Sequence, residues 1–149
     1  KTINKVILIS HRGNTQGTNV EQENKPSYIS NALKKGFEVE IDVWYNSKNK
    51  EWFLGHDEPQ YAVDVDYISQ NGLWCHAKNL DALAAMLEKD VHCFWHEKDK
   101  YTITSKGFIW TYPGNKLTKK SICLNFEKKQ FNYNNLCYGV CSDWIETFR

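Results

Sequence analysis

From Gly36 to Val43 the chain reads Gly-Phe-Glu-Val-Glu-Ile-Asp-Val, and this stretch constrains the fold more than any other. Phe37, Val39, Ile41 and Val43 alternate with Glu38, Glu40 and Asp42, which is the period of a β-strand with one apolar and one acidic face. The apolar face requires a core to pack on. The acidic face requires a different explanation, because carboxylates two residues apart repel one another unless something cationic lies between them. A divalent metal ion would serve, and the alternative is an exposed edge strand blunted by charge.

The flanking sequence places this strand in a βαβ unit. Val6 to Ser10 is a continuous apolar run of strand length ending at His11-Arg12-Gly13. The polar stretch Asn14 to Lys25 has no period and reads as a functional loop. Pro26-Ser27 opens a helix with Tyr28, Ile29, Ala32 and Leu33 on one stripe and Gly36 as its stop. After the acidic strand, Asn46 to Lys50 turns the chain into a short strand, Trp52 to Leu54, ending at Gly55-His56-Asp57. A brief helix is expected within Asp64 to Gln70, a fourth strand at Leu73 to Cys75, and a fifth at Val91 to His96. Between the last two, Asn79 caps a helix expected to pack through Leu80, Leu83, Ala84 and Leu87.

Beyond this point strand-like runs follow at Tyr101 to Thr104, Phe108 to Thr111, Ile122 to Leu124 and Tyr138 to Ser142, with connections too short for full helices. Thr104 to Gly107 reads as a hairpin turn. The expected fold is therefore α/β, a reduced (β/α) TIM-type barrel with helices depleted in its C-terminal half, since a complete one takes about 250 residues. At 149 residues the chain has room for one domain, 1–149.

Composition narrows the partners. Nineteen basic against 18 acidic residues give a net charge of +1, so no long-range field recruits nucleic acid or an anionic membrane. There is no run of eighteen apolar residues and no apolar leader behind the initial Lys1, so no integral membrane segment is expected. The five cysteines are odd in number, lie in apolar runs and form no CxxC pair; they read as buried free thiols of a cytoplasmic protein.

Chemistry in parallel α/β folds collects at the carboxyl ends of strands. Here four successive strands end in His11 and Arg12, in Glu40 with Asp42, in His56 with Asp57, and in His76 with Lys78. His11-Arg12-Gly13, Glu23-Asn24 before a proline-started helix, Glu40-Ile41-Asp42-Val43 and His56-Asp57 together resemble the glycerophosphodiester phosphodiesterase family over roughly the first sixty residues. Ser142-Asp143 resembles that family's closing strand. The resemblance implies a barrel, a divalent metal ion (Mg2+ or Ca2+, with Mn2+ as a further option) and hydrolysis of a small phosphodiester substrate, and with them a place in lipid metabolism. Position by position it implies that His11 and His56 are the catalytic acid/base pair, that Arg12 and Lys78 bind phosphate, and that Glu40 and Asp42 ligate the metal. Glu23 falls on the acidic residue of the loop after the first strand, close to the site, and Asp57 reads either as a group behind His56 and the metal or as the cap of the turn before Pro59. At the fourth strand the family has a carboxylate where this chain has His76, an imidazole ligand that favours softer ions.

The reaction needs such parts in any case. A phosphodiester is an anion that resists nucleophiles, so cations must neutralise it, and its poor alkoxide leaving group must be protonated. Two imidazoles share the proton transfers near neutrality, which predicts a bell-shaped pH dependence. Two other readings stand beside hydrolysis: a non-catalytic barrel that binds phosphate compounds, and a carbohydrate-binding domain using Trp44, Trp52, Trp74, Trp95 and Trp110. His92, His96, Glu97 and Asp99 form a second polar cluster, which reads as hydrogen-bonded or exposed histidines, the alternative being that one of them lines the barrel mouth. Tyr112 to Asn115 is a candidate lid, and Asn125 to Asn135 is expected to cap the lower end.

Overall fold

In the computed structural model, which describes residues 5–149, the acidic stretch is a strand, β2 (Glu38–Asn46), that pairs with three others. The Lys1 start noted above lies outside the described residues. β1 (Ile7–His11) runs parallel to the first part of β2, and β5 (Leu73–Ala77) runs parallel along its other edge. Where β1 has ended, β3 (Glu51–Leu54) pairs antiparallel with the second part of β2, and β4 (Tyr61–Val63) adds to β3. The parallel strands continue on the far side of β1 as β10 (Gly139–Ser142), β9 (Ser121–Leu124) and β8 (Ile109–Thr111). β6 (Cys93–Phe94) borders β5, and β7 (Tyr101–Ile103) folds back antiparallel on β8 through the Thr104 to Gly107 turn.

The sheet is curled, and alternation sends its residues to two cores. On the convex side Val39, Ile41 and Val43 pack with Ile29 and Ala32 of α1 (Pro26–Lys34), Ile68 of α2 (Val65–Ile68), and Ala82 and Met86 of α3 (Leu80–Glu88). On the concave side Ile9, Trp74, Phe94, Trp110, Ile122, Leu124 and Cys141 interdigitate. Each such fully buried aliphatic or aromatic side chain contributes on the order of 1.5–3 kcal/mol through burial. A third cluster, including Phe37, Tyr133, Val140, Ile145 and Phe148, fixes the final 3-10 turn (Ile145–Phe148).

The expected (β/α) barrel is not what forms. The sheet is mixed, its helices are confined to the first 88 residues, and among the described residues β6 and β8 do not pair, so it is a curled half-barrel. The physical reason lies in the connections. β3–β4 and β7–β8 are tight antiparallel links, which parallel barrel units do not allow. Residues 112–120 and 125–138 cross over without a helix to tile the outside. The two open rims meet through Phe94 against Trp110, with ring centroids 4.5 Å apart, and through an isolated backbone hydrogen bond from Ser105 N to Cys93 O at 2.7 Å rather than through a strand ladder.

Two local expectations also change. In α3 Leu80 and Leu87 face solvent, and Ala82 and Met86 are the buried pair. The 125–135 segment is not confined to the lower end: its Tyr133 packs against Cys123 and Val140 on the outside of the sheet, while Asn134 Oδ1 accepts a hydrogen bond from Val6 N just before β1. Among the described residues no helix is long and apolar enough to cross a membrane.

Candidate active site

The concave face changes character along the strands: below it is apolar, and at the carboxyl ends it is ionisable. In-phase positions of β1, β2 and β5 place His11 beside Glu40 and Asp42 beside His76 in the strand register. Glu38 shares the acidic face of β2 but lies at the opposite end. There it accepts a hydrogen bond from Trp74 Nε1 at 2.8 Å and borders a separate cavity of about 170 Å³. Two of the three strand acids therefore converge, not all three.

Arg12 is brought back over β2 by a sharp turn. Its φ is +61° and that of Gly13 is +96°, left-handed values that cost a non-glycine residue on the order of 1 kcal/mol. Two backbone hydrogen bonds hold Arg12 there, one donated to Glu40 O (2.8 Å) and one accepted from Asn24 N (3.1 Å). A Cβ at Gly13 would lie 2.5 Å from Tyr28 Cδ2, so both φ and packing call for glycine. The guanidinium then spans Glu23 Oε1 (3.2 Å), Asp42 Oδ2 (3.2 Å) and His56 Nε2 (3.3 Å). His56 reaches the site because β3 ends against β2, with Gly55 N donating to Asp42 O and Trp44 Nε1 donating to Gly55 O.

Asp42 is fully buried and receives most of these contacts. Asn24 grips it twice, donating from Nδ2 to Oδ2 (2.9 Å) and accepting from Asp42 N (3.0 Å). Burial opposes its ionisation, but the close approach of the His56 and His76 rings and the charge of Arg12 prevail, so its pKa is held well below the usual carboxylate range. Glu40 goes the other way. Burial and the neighbouring Asp42 charge raise its pKa against the pull of His11, Arg12 and His76.

His11 donates from Nδ1 to Asp143 Oδ1 at 2.7 Å, with Nε2 3.8 Å from Glu40 Oε1. Burial works to lower its pKa, yet the Asp143 bond and the Glu40 charge leave it raised. Asp143 in turn is lowered, because the His11 and Asn14 contacts outweigh its burial. The buried Asn14 ties the two halves together, since its Nδ2 donates to Asp143 Oδ1 and to Glu23 Oε2, each at 2.8 Å.

His76 shows how a metal would fit. Its Nε2 lies 2.9 Å from the His96 carbonyl oxygen, which can only accept, so the proton sits on Nε2. In the neutral ring the Nδ1 lone pair then faces Asp42 Oδ1 (3.2 Å) and Glu40 Oε2 (3.7 Å). A lone pair aimed at two carboxylates is repulsive unless a proton or a cation lies between them. Donor atoms of Glu40, Asp42 and His76 lie within 4.8 Å of one another, and buried Glu40 Oε1 and Asp42 Oδ1 have no hydrogen-bond partner among the described residues. The ring N–H held by a backbone carbonyl is also the usual support of a metal-ligating imidazole. These residues fit a divalent ion.

His11, Arg12, Glu40, His56, His76 and Lys78 all border one cavity of about 420 Å³. The positions expected from sequence thus gather at one end of the sheet. Asp57 stands apart, with a 94% exposed side chain 3.7 Å from His56 Nε2. Of the second polar cluster, His96 borders this cavity, whereas His92 lies at the opposite end beside Trp74, where burial and Lys106 lower its pKa to about 4. Asp143, Asn14 and Phe126 carried no assigned role in the sequence reading. The signal for Asp143 is its position immediately after a strand whose inward residues are Gly139 and Cys141. No family model, no curated protein and no solved structure matches this chain.

Proposed function

We propose that the protein is a metal-dependent phosphodiesterase that hydrolyses a small phosphodiester with His11 and His56 as its acid/base pair. The observation that carries this reading is the placement of His11, His56, Arg12, Glu40 and His76 around a single cavity, with Asp42 buried within donor distance of Glu40 and His76. Each imidazole presents Nε2 as its reactive atom. In His11 the Asp143 bond fixes Nδ1–H. In His56 Nε2 faces Arg12, which can only donate, and Nδ1 faces Asp42 at 3.5 Å.

Arg12 and Lys78 bind the phosphate oxygens, drawing them away from water. As an attacking hydroxyl, from water or from a neighbouring group of the substrate, forms its bond to phosphorus, one Nε2 takes its proton. The bond to the departing alcohol breaks as the other imidazolium gives a proton to that oxygen. Glu40, Asp42 and His76 would hold a divalent ion, which would supply positive charge against the developing phosphoryl charge. Two carboxylates and one imidazole suit Mn2+ better than Mg2+ or Ca2+, harder ions that favour an all-oxygen shell. The five free, buried thiols support a reducing compartment such as the cytoplasm.

The test is hydrolysis of a glycerol or aryl phosphodiester with Mn2+, Mg2+ or Ca2+ added. Turnover is expected in the wild type, with its loss in folded His11→Ala and His56→Ala. Binding of the diester without turnover under all three ions would replace this reading with a phosphate-binding protein.

A further inference from the structure

The cavity over the candidate metal ligands is not uniform. Its polar side is the ionisable group already described, and its other side is formed by Trp110, Tyr112, Leu124 and Phe126. Phe126 packs directly on His11, with ring centroids 4.8 Å apart, so this apolar wall begins at the imidazole itself. A second cavity of about 270 Å³ opens on the opposite side of Arg12 and His56 and shares both residues with the first. Apart from Val20, its remaining lining is polar, with Glu23, Asp57, Glu58 and Gln60 offering carboxylate and amide acceptors.

A phosphate held at Arg12 therefore has two unlike chambers beside it. In-line displacement sends the attacking and departing oxygens to opposite sides of phosphorus, so the two ester substituents and the entering hydroxyl must be distributed between these chambers. Apolar surface removed from water against Phe126, Tyr112, Leu124 and Trp110 favours a hydrocarbon or aromatic alcohol. The acceptor-rich chamber by His56 favours an alcohol carrying hydrogen-bond donors, whether hydroxyl or ammonium, because its acceptors lose water on binding and need replacement partners.

We infer that the substrate is an amphipathic phosphodiester, its apolar alcohol seated beside His11 and its donor-bearing alcohol beside His56. This rests on the phosphodiesterase reading above for its turnover but not for its binding. The experiment compares three diesters in the presence of Mn2+: hexyl glycerol phosphate, dihexyl phosphate and diglycerol phosphate, measuring binding by calorimetry and hydrolysis by product release. Hexyl glycerol phosphate is expected to bind about tenfold or more tightly than either symmetric diester. Tyr112→Ser, at a half-exposed position outside the ion and proton-transfer machinery, is expected to reduce that advantage over diglycerol phosphate. Glu58→Lys is expected to reduce the advantage over dihexyl phosphate. Equal binding of the three, or tightest binding of a symmetric diester, overturns the assignment. The expected binding order with no hydrolysis of any diester supports the two chambers and overturns the hydrolytic reading instead.

Discussion

Replacing Asp143 by Asn removes one charge and little else, and it isolates what holds His11. The amide oxygen can still accept from His11 Nδ1 and Asn14 Nδ2, the two donors that meet Asp143 Oδ1 at 2.7 and 2.8 Å. What is lost is the charge-assisted part of a hydrogen bond whose partners have side chains only 15% and 8% exposed. Hydrogen bonds to charged groups contribute about 1.5–3 kcal/mol, and that range is the expected cost of the substitution where both partners are ionised. The pH window follows from the two shifts. The raised pKa of His11 gives stability that is fully present below its ordinary value of 6.5 and is lost as pH rises through the folded-state value. The lowered pKa of Asp143 gives stability that is present above its ordinary value of 3.8 and is lost as pH falls through the folded-state value. The stability difference between wild type and Asp143→Asn is therefore widest between pH 3.8 and 6.5. It narrows on both sides. Urea denaturation across that range measures it, and an NMR titration of the His11 ring, assigned with His11→Gln, is expected to show a lower pKa in the variant. A pH-independent difference, or an unchanged His11 titration, would refute the ion-pair argument.

Other consequences are open to measurement. Asn14→Leu leaves buried Glu23 and Asp143 without a shared donor and strands the partners of Asn14 Oδ1, Asn19 N and Tyr28 OH; a loss of about 3 kcal/mol or more is expected in denaturant melts. Gly13→Ala forces a left-handed alanine against Tyr28, and a lowered melting temperature with weakened phosphate binding through displaced Arg12 is expected. His92, with its pKa lowered to about 4, stays neutral in the fold while the unfolded chain takes up a proton near 6.5, so stability falls as pH drops through that interval; His92→Gln is expected to flatten this limb of the acid titration. Activity against pH is expected to be bell-shaped, and an aryl ester, whose leaving group needs no proton, is expected to rescue only the histidine variant that lacks the general acid.

The sequence carried the site further than it carried the fold. Alternation along Glu38 to Val43 was readable because a strand's period of two is local, and the neighbouring strand ends carried their histidines in short motifs. Closure of the sheet was not local. Whether β6 meets β8 depends on connections at 112–120 and 125–138 whose composition gives no period. The phase of α3 was misread because Leu80 and Leu87 are larger than Ala82 and Met86 on average, yet close packing of the helix on β2 and β5 favours the smaller Ala82 at the contact. Asp143 gained its role only through the parallel pairing of β10 with β1, Ile7 opposite Gly139, which sets two distant residues side by side. The sequence also could not tell that Glu38 would be separated from Glu40 and Asp42 by the depth of the sheet.

Anomalous diffraction from crystals soaked in Mn2+ tests the central proposal most directly, that Glu40, Asp42 and His76 together hold a divalent ion beside His11 and His56. A single strong peak in bonding contact with a carboxylate oxygen of Glu40, one of Asp42 and His76 Nδ1 is predicted, with the His76 Nε2 bond to the His96 carbonyl retained. Absence of a peak there at saturating Mn2+, or a peak held by other residues, would contradict the account.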